Sequence, residues 1–346
     1  MPTTTSPSNP APLPPWIARQ LQSLLAQRAH AWLLQGPAGL GQWDLALALA
    51  RAWLCEARAT PEAAACGQCP SCHAISVRTH ADLLALMPEA YMPALGWPLP
   101  EKAQAEIDDK KRKPSREIRV EAMRDAIEFT QSTNARGRGK VLVVYPAERM
   151  NPITANALLK TLEEPPGDTR FVLASKAAHL LLPTIRSRCL AHTMAWPEPA
   201  EALVWLQAQG VAPDQAPALL QAAGGRPAAA LTPPGGQAAI DARQWALFPR
   251  AMAQGDVAAL ADLPLPEAVS RLQKLCHDVM VSQQNARPRF FEASALPKRA
   301  LSTRALTQWW KQLQQSARNA EHPLNAGLAT EFLVSAAQKA LNSKVD

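Results

Sequence analysis

The chain has 346 residues, 47% of them hydrophobic, and carries 36 Lys+Arg against 29 Asp+Glu for a formal net charge of +7. That length exceeds the usual single core, so two or three domains are expected. The mild basicity permits nucleic-acid contact without demanding it, because no dense basic helix appears.

Residues 1–15 are Pro/Ser/Thr-rich and read as a disordered tail; with neither a charged start nor an apolar core they are not expected to be a signal peptide. No uninterrupted apolar run reaches membrane length, so a cytoplasmic chain is expected. Six cysteines in such a chain argue for metal ligation or buried thiols over a disulfide framework.

An amphipathic helix is expected from Trp16 to about Arg28, then a short strand, Ala31 to Leu34. Next comes Gly36-Pro37-Ala38-Gly39-Leu40-Gly41-Gln42-Trp43, opening into a helix. Strand, glycine loop and helix are the layout of a phosphate-binding loop, whose pattern is G-x-x-x-x-G-K-[ST]. Gly36 and Gly41 have the required spacing. The lysine that would meet the phosphates is replaced by Gln42, and the hydroxyl that would meet Mg²⁺ by Trp43. The stretch is therefore either a nucleotide loop that has lost its nucleotide or a glycine-rich turn of other origin.

Cys55 ends that helix, and Cys66-Gly67-Gln68-Cys69-Pro70-Ser71-Cys72 follows. Two overlapping C-x-x-C steps suit tetrahedral zinc, with Cys55 the natural fourth ligand and His73 the reserve. Four thiolates leave no open coordination position, so a structural zinc site is expected. Ala81 to Leu86 reads as a strand. Residues 88–116 hold five prolines and the run Asp108-Asp109-Lys110-Lys111-Arg112-Lys113. They read as a mobile surface insertion, whose basic run is a solvated loop or a DNA contact.

Helical period returns with Val120, Met123 and Ile127, and Lys140 to Tyr145 is a buried strand. A P-loop NTPase would end this strand in Asp-Glu; here it ends in Tyr145-Pro146, and the first acid is Glu148. The run from Asn156 to Glu164 reads as an amphipathic helix stopped by Pro165-Pro166. Thr169 to Ser175 is another buried strand, and Arg188 at the turn after Ile185 is a solvated charge or a positioned cation. Cys189, opening an apolar strand, and Cys276, on a helical apolar stripe, read as buried thiols. Beyond Trp196 the composition is helical. About three short helices span 200–233, Pro233-Pro234-Gly235-Gly236 is a linker, and the strongest later helix carries Val269, Leu272, Leu275, Cys276 and Val279 on one face. Two more are expected at about 301–318 and 324–342.

Three features in order, N-A-L-L-K-T-L-E-E-P-P at 156–166, I-R-S-R-C at 185–189 and the four-cysteine insertion after the glycine loop, resemble bacterial DNA polymerase III clamp-loader subunits. The resemblance implies an α/β AAA+ fold: a P-loop NTPase-like parallel sheet over 16–196, with a zinc module at 55–72 and the insertion at 88–116. A small helical lid over 197–234 and an all-α collar over 235–346 would follow. Gln42, Trp43, Tyr145 and Pro146 make the chain similar to the delta-prime branch, which has lost ATP binding in most members. The resemblance implies no ATP bound in cis, and Arg188 as a finger projecting into the ATP site of an adjacent subunit. It implies partners gamma/tau and delta in a heteropentamer of the DNA-directed DNA polymerase III holoenzyme, which loads the sliding clamp on primed DNA. Arg226 would stand where an ATPase relative has its lid arginine, here structural or vestigial, and Lys160, Glu163 and Glu164 would be helix surface or inter-subunit contacts. The alternative is an active enzyme, a gamma/tau-like ATPase or a zinc-dependent hydrolase.

Overall fold

The computed structural model describes residues 12–231, 241–320 and 325–344. The tail expected over 1–15 falls mostly, and the linker at 233–236 wholly, outside the described residues. The chain divides into two compact units, 1–198 and 199–346.

The first unit runs α1 (Pro15–Leu25), β1 (Ala31–Gln35), α2 (Gln42–Leu54), α3 (Pro70–Ser76), β2 (Leu83–Leu86), α4 (Glu101–Asp108), α5 (Val120–Gln131), β3 (Lys140–Val144), α6 (Pro152–Glu163), β4 (Thr169–Ser175), α7 (Pro183–Arg186) and β5 (Leu190–Thr193). The strands form one sheet in the order β2-β3-β4-β1-β5, every pair parallel, with Leu34 opposite Ala174 and Val143 opposite Val172. β1, β3 and β4 are almost continuously apolar because helices cover both faces of a parallel sheet. Met123, Leu142, Leu158, Leu162, Phe171 and Leu173 fill the core on the α5–α6 side, and α2 packs on the sheet against β3 and β4. This α/β parallel-sheet class is the one expected.

Local chemistry sets the ends of the elements. Asn151 caps α6 by accepting a hydrogen bond from the Thr154 N–H at 2.9 Å, with Pro152 in the first turn. The helix ends at Glu163, just ahead of Pro165-Pro166. Gly139 enters β3 with φ +77°, and a Cβ there would run into the carbonyl oxygen of Asp168; only glycine lets the strands meet so closely.

Three details differ from expectation. Residues 88–116 contain α4 and two short 3₁₀ turns, tied together where the Arg112 guanidinium meets Glu89 at 2.8 Å and Glu106 at 2.6 Å. Arg112 therefore turns toward carboxylates of its own segment, while Lys110, Lys111 and Lys113 stay exposed. β2 begins at Leu83 because Asp82 is buried and used as a cap, accepting from the Ala135 and Arg136 N–H groups at 2.7 and 3.0 Å. Cys189 is only half-buried, since β5 is an edge strand paired to β1 alone and mostly exposed; burial still pushes its thiol up to about 12.

The second unit is helical. α8 (Pro199–Ala208), α9 (Ala216–Ala222) and α10 (Pro227–Ala230) are the three short helices expected. They precede α11 (Ala242–Gln254), α12 (Ala258–Ala261), α13 (Leu265–Gln283), α14 (Thr303–Asn319) and α15 (Ala326–Leu341). A small core around Leu206, Ala216 and Leu220 adjoins a larger one holding Leu272, Cys276, Trp309 and Val334. Trp245 stacks on Phe291 with ring centres 4.5 Å apart. Buried Asp278 holds the Arg289–Phe291 backbone by accepting from three N–H groups at 2.6–3.0 Å. Cys276 is fully buried, as expected. Among the described residues no helix is long and apolar enough to cross a membrane.

Candidate functional site

The glycine loop lies beyond the carboxyl end of β1, where ligands of open α/β sheets collect. Gly41 sits at φ +92° as the N-cap of α2, and a Cβ there would approach the Ile17 side chain at 2.8 Å. Both constraints favour glycine, so the loop keeps its backbone form. Its chemistry is altered. Gln42 is 2% exposed, and its amide donates to the carbonyl oxygens of Gly36 at 2.5 Å and Pro37 at 2.9 Å. The side chain at the lysine position thus fastens the loop to itself, and it carries no charge for a phosphate.

Trp43, at the hydroxyl position, packs against Tyr145 with ring centres 5.5 Å apart and edge-on to Trp97 at 5.6 Å. The two substituted motif positions, 43 and 145, therefore touch each other, and Trp97 from the 88–116 segment joins them. The Arg78 guanidinium lies 4.6 Å over the Trp97 ring, and the Lys176 ammonium 5.3 Å over Tyr145. Burial pushes the Tyr145 hydroxyl up and the Lys176 ammonium down from their ordinary values. Pro146 follows Tyr145 through a cis peptide bond. Glu148 accepts from the Ser175 hydroxyl at 2.7 Å and from the Lys176 N–H at 3.2 Å. It is spent on the end of β4.

The sulfurs of Cys55, Cys66, Cys69 and Cys72 all lie within 4.8 Å of one another. Cys55 and Cys69 are 3.9 Å apart, Cys66 and Cys72 4.0 Å. Tetrahedral zinc with Zn–S bonds of about 2.3 Å would place its sulfurs roughly 3.8 Å apart, so the four residues fit. Backbone N–H groups of Cys66 and Cys69 point at the Cys55 and Cys66 sulfurs, each at 3.3 Å, as knuckle turns around a thiolate metal centre do. A relay braces the cluster against the sheet: His80 meets the Ser71 hydroxyl at 3.0 Å, and Glu56 accepts from Ser71 and from Arg136, each at 2.7 Å. Four sulfurs close the shell, leaving His73 outside the cluster.

Arg188 follows the short helix α7. Its Nε and Nη2 donate to Glu163 Oε2 at 3.3 and 3.0 Å, and its Nη1 to the Thr184 carbonyl oxygen at 3.1 Å. A guanidinium has five N–H donors, so two are without a partner among the described residues. Glu163 belongs to the 156–166 run and Arg188 to the 185–189 run, and one surface ion pair joins them. Lys160 is exposed, as is Glu164. Arg226, in the second unit, donates from Nε to the Ala223 carbonyl oxygen at 2.8 Å.

Residues 15–197, more than half of the chain, match the family described as "DNA polymerase III, delta subunit". The chain belongs to that family. It is 42% identical over 181 residues to DNA polymerase III subunit delta-prime of Pseudomonas aeruginosa, covering 52% of this chain and 48% of that one. To the Escherichia coli delta-prime subunit it is 34% identical over 224 residues, covering 63% and 59%. The subunit tau of Salmonella typhimurium is 35% identical over 161 residues, covering 46% of this chain and 21% of that one. The chain spans about half the length of the first two relatives. Among solved structures, a DNA polymerase III gamma subunit-related protein of Thermotoga maritima superposes with a TM-score of 0.46 at 15% identity, over 93% of this chain and 99% of that one.

Sequence reasoning missed Trp97, Lys176 and the role of Glu163. Trp97 gave no signal, lying in a segment read only for its prolines and charges. Glu163 could have been found, since its run and that of Arg188 were both singled out.

Proposed function

We propose that this chain is a non-hydrolysing, delta-prime-type subunit of a clamp loader. It has no nucleotide of its own and completes a neighbour's ATP site with Arg188. The observation that carries this reading is the self-filled loop: Gln42 is bonded to the loop carbonyls, and Trp43 is packed on Tyr145. A loop so arranged offers neither the charge nor the oxygen ligand of ATP chemistry. The free N–H groups of Arg188 lie on a half-exposed side chain, and a planar, permanently charged fork suits the charge on a transferring phosphoryl group. Zinc at Cys55, Cys66, Cys69 and Cys72 has a structural role, since a closed sulfur shell leaves no place for substrate.

On this reading residues 197–234 act as a lid and 235–346 as a collar. The partners are the gamma/tau ATPase subunits and delta, and the assembly places a sliding clamp on primed DNA in the cytoplasm. The collar offers an apolar contact: Leu328 and Phe332, one helical turn apart on α15, are 65% and 54% exposed.

Co-expression with a clamp-loader ATPase subunit tests the assembly. The full chain is expected to co-purify, and Leu328→Glu with Phe332→Glu to weaken the complex at least tenfold. Failure of the unaltered chain to co-purify contradicts the reading.

A further inference from the structure

A second cleft, of about 610 Å³, opens at the opposite end of the sheet from the glycine loop, where β1 and β4 begin. Its walls come from the end of α1, the end of α2, the segment before Cys66 and the turn between α6 and β4. Arg28, Arg58 and Arg170 line it, against apolar surface from Leu25, Pro61 and Pro165. Among the described residues none of the three guanidinium groups makes an ion pair. Arg58 Nη1 is buried without a hydrogen-bond partner among the described residues. Leaving a buried guanidinium N–H unbonded is destabilising, so the fold holds it there against its own stability. Arg170 lies 5.2 Å over the Trp53 ring, which orients its fork. Burial, and then the nearby Arg58 charge, push the Arg170 guanidinium down from its ordinary value, while Asp168 pulls the other way. Asp168, also in the wall, is bonded to neither.

We propose that this cleft is a binding site for phosphate groups, one or two of them held between Arg58 and Arg170 with Arg28 at the rim. Paired, planar guanidinium forks match phosphate oxygens bidentately, and the volume admits a nucleotide-sized ligand. Nothing about the glycine loop or Arg188 enters the inference. The phosphate arrives either on a nucleic-acid strand or as a free polyphosphate, and the geometry at the two arginines is the same for both.

The test uses the full chain and two probes, inorganic pyrophosphate by calorimetry and a labelled ten-residue oligo-dT by fluorescence anisotropy. Arg58→Ala with Arg170→Ala is expected to weaken at least one probe tenfold or more. Lys111→Ala with Lys113→Ala, which removes the same net charge elsewhere, should change it less than twofold. Loss with oligo-dT alone identifies a strand as the carrier, and loss with pyrophosphate alone a free ligand. Because Arg58 Nη1 has no partner among the described residues, Arg58→Ala alone should melt at the same temperature as the parent or higher. A fall in the melting temperature with binding retained makes the arginines structural and overturns the site. Equal losses from the two double variants, or tighter binding of a Glu-rich peptide than of either probe, also overturn it.

Discussion

On the proposed reading, Arg188→Ala is expected to leave assembly intact and to cut ATP turnover of the complex by about 10³-fold, within the range found for arginine fingers in GTPases. Among the described residues the Arg188 side chain is hydrogen-bonded only to Glu163 and the Thr184 carbonyl, at a surface where such a pair contributes no more than about 1 kcal/mol. Folding therefore does not depend on it. Glu163→Gln should give a smaller loss, because the fork keeps its charge and its Thr184 bond and loses only its orientation. The measurement is steady-state ATPase of the reconstituted complex with DNA and clamp present. Unchanged turnover in Arg188→Ala removes the finger, and equal losses in both variants make Glu163 as necessary as the arginine.

The second large effect concerns the cysteine cluster. Purified protein should hold about one zinc per chain. Cys72→Ser, altering a buried cysteine of the cluster on α3, should release it and destabilise the first unit by several kcal/mol, since structural zinc couples its binding energy to folding. In a domain of this size each kcal/mol corresponds to about 2–4 °C of melting temperature, so a fall of more than about 5 °C is expected. Prolonged chelation should reproduce the fall in the parent. A metal-free protein that melts where the zinc-loaded one does contradicts the assignment.

The motifs and the sheet were legible because their signals are local. Gly36 and Gly41 stand at a spacing the backbone turn demands, three cysteines repeat at the C-x-x-C step, and β1, β3 and β4 are apolar runs with no competing period. What stayed hidden is carried by contacts between distant residues. Trp97 reaches Trp43 across 54 positions, and Arg58 and Arg170, more than a hundred positions apart, line one cleft; neither leaves a periodic trace. Arg112 looked like one charge in a solvated run, and only the fold shows Glu89 and Glu106 waiting for it. Cys189 looked buried because its neighbours are apolar, but position at the sheet edge decides burial there. For Gln42, sequence gave the missing charge but not the use of the amide, which closes the loop on its own carbonyls.

The account turns on whether the glycine loop of the isolated chain takes a nucleotide. The direct measurement is calorimetric titration of Mg-ATP into the full chain carrying Arg58→Ala and Arg170→Ala, so that the arginine cleft contributes nothing. The account predicts no saturable binding up to about 1 mM, a limit of roughly −4 kcal/mol. Stoichiometric binding at micromolar concentration, abolished by Gly41→Trp, would contradict it.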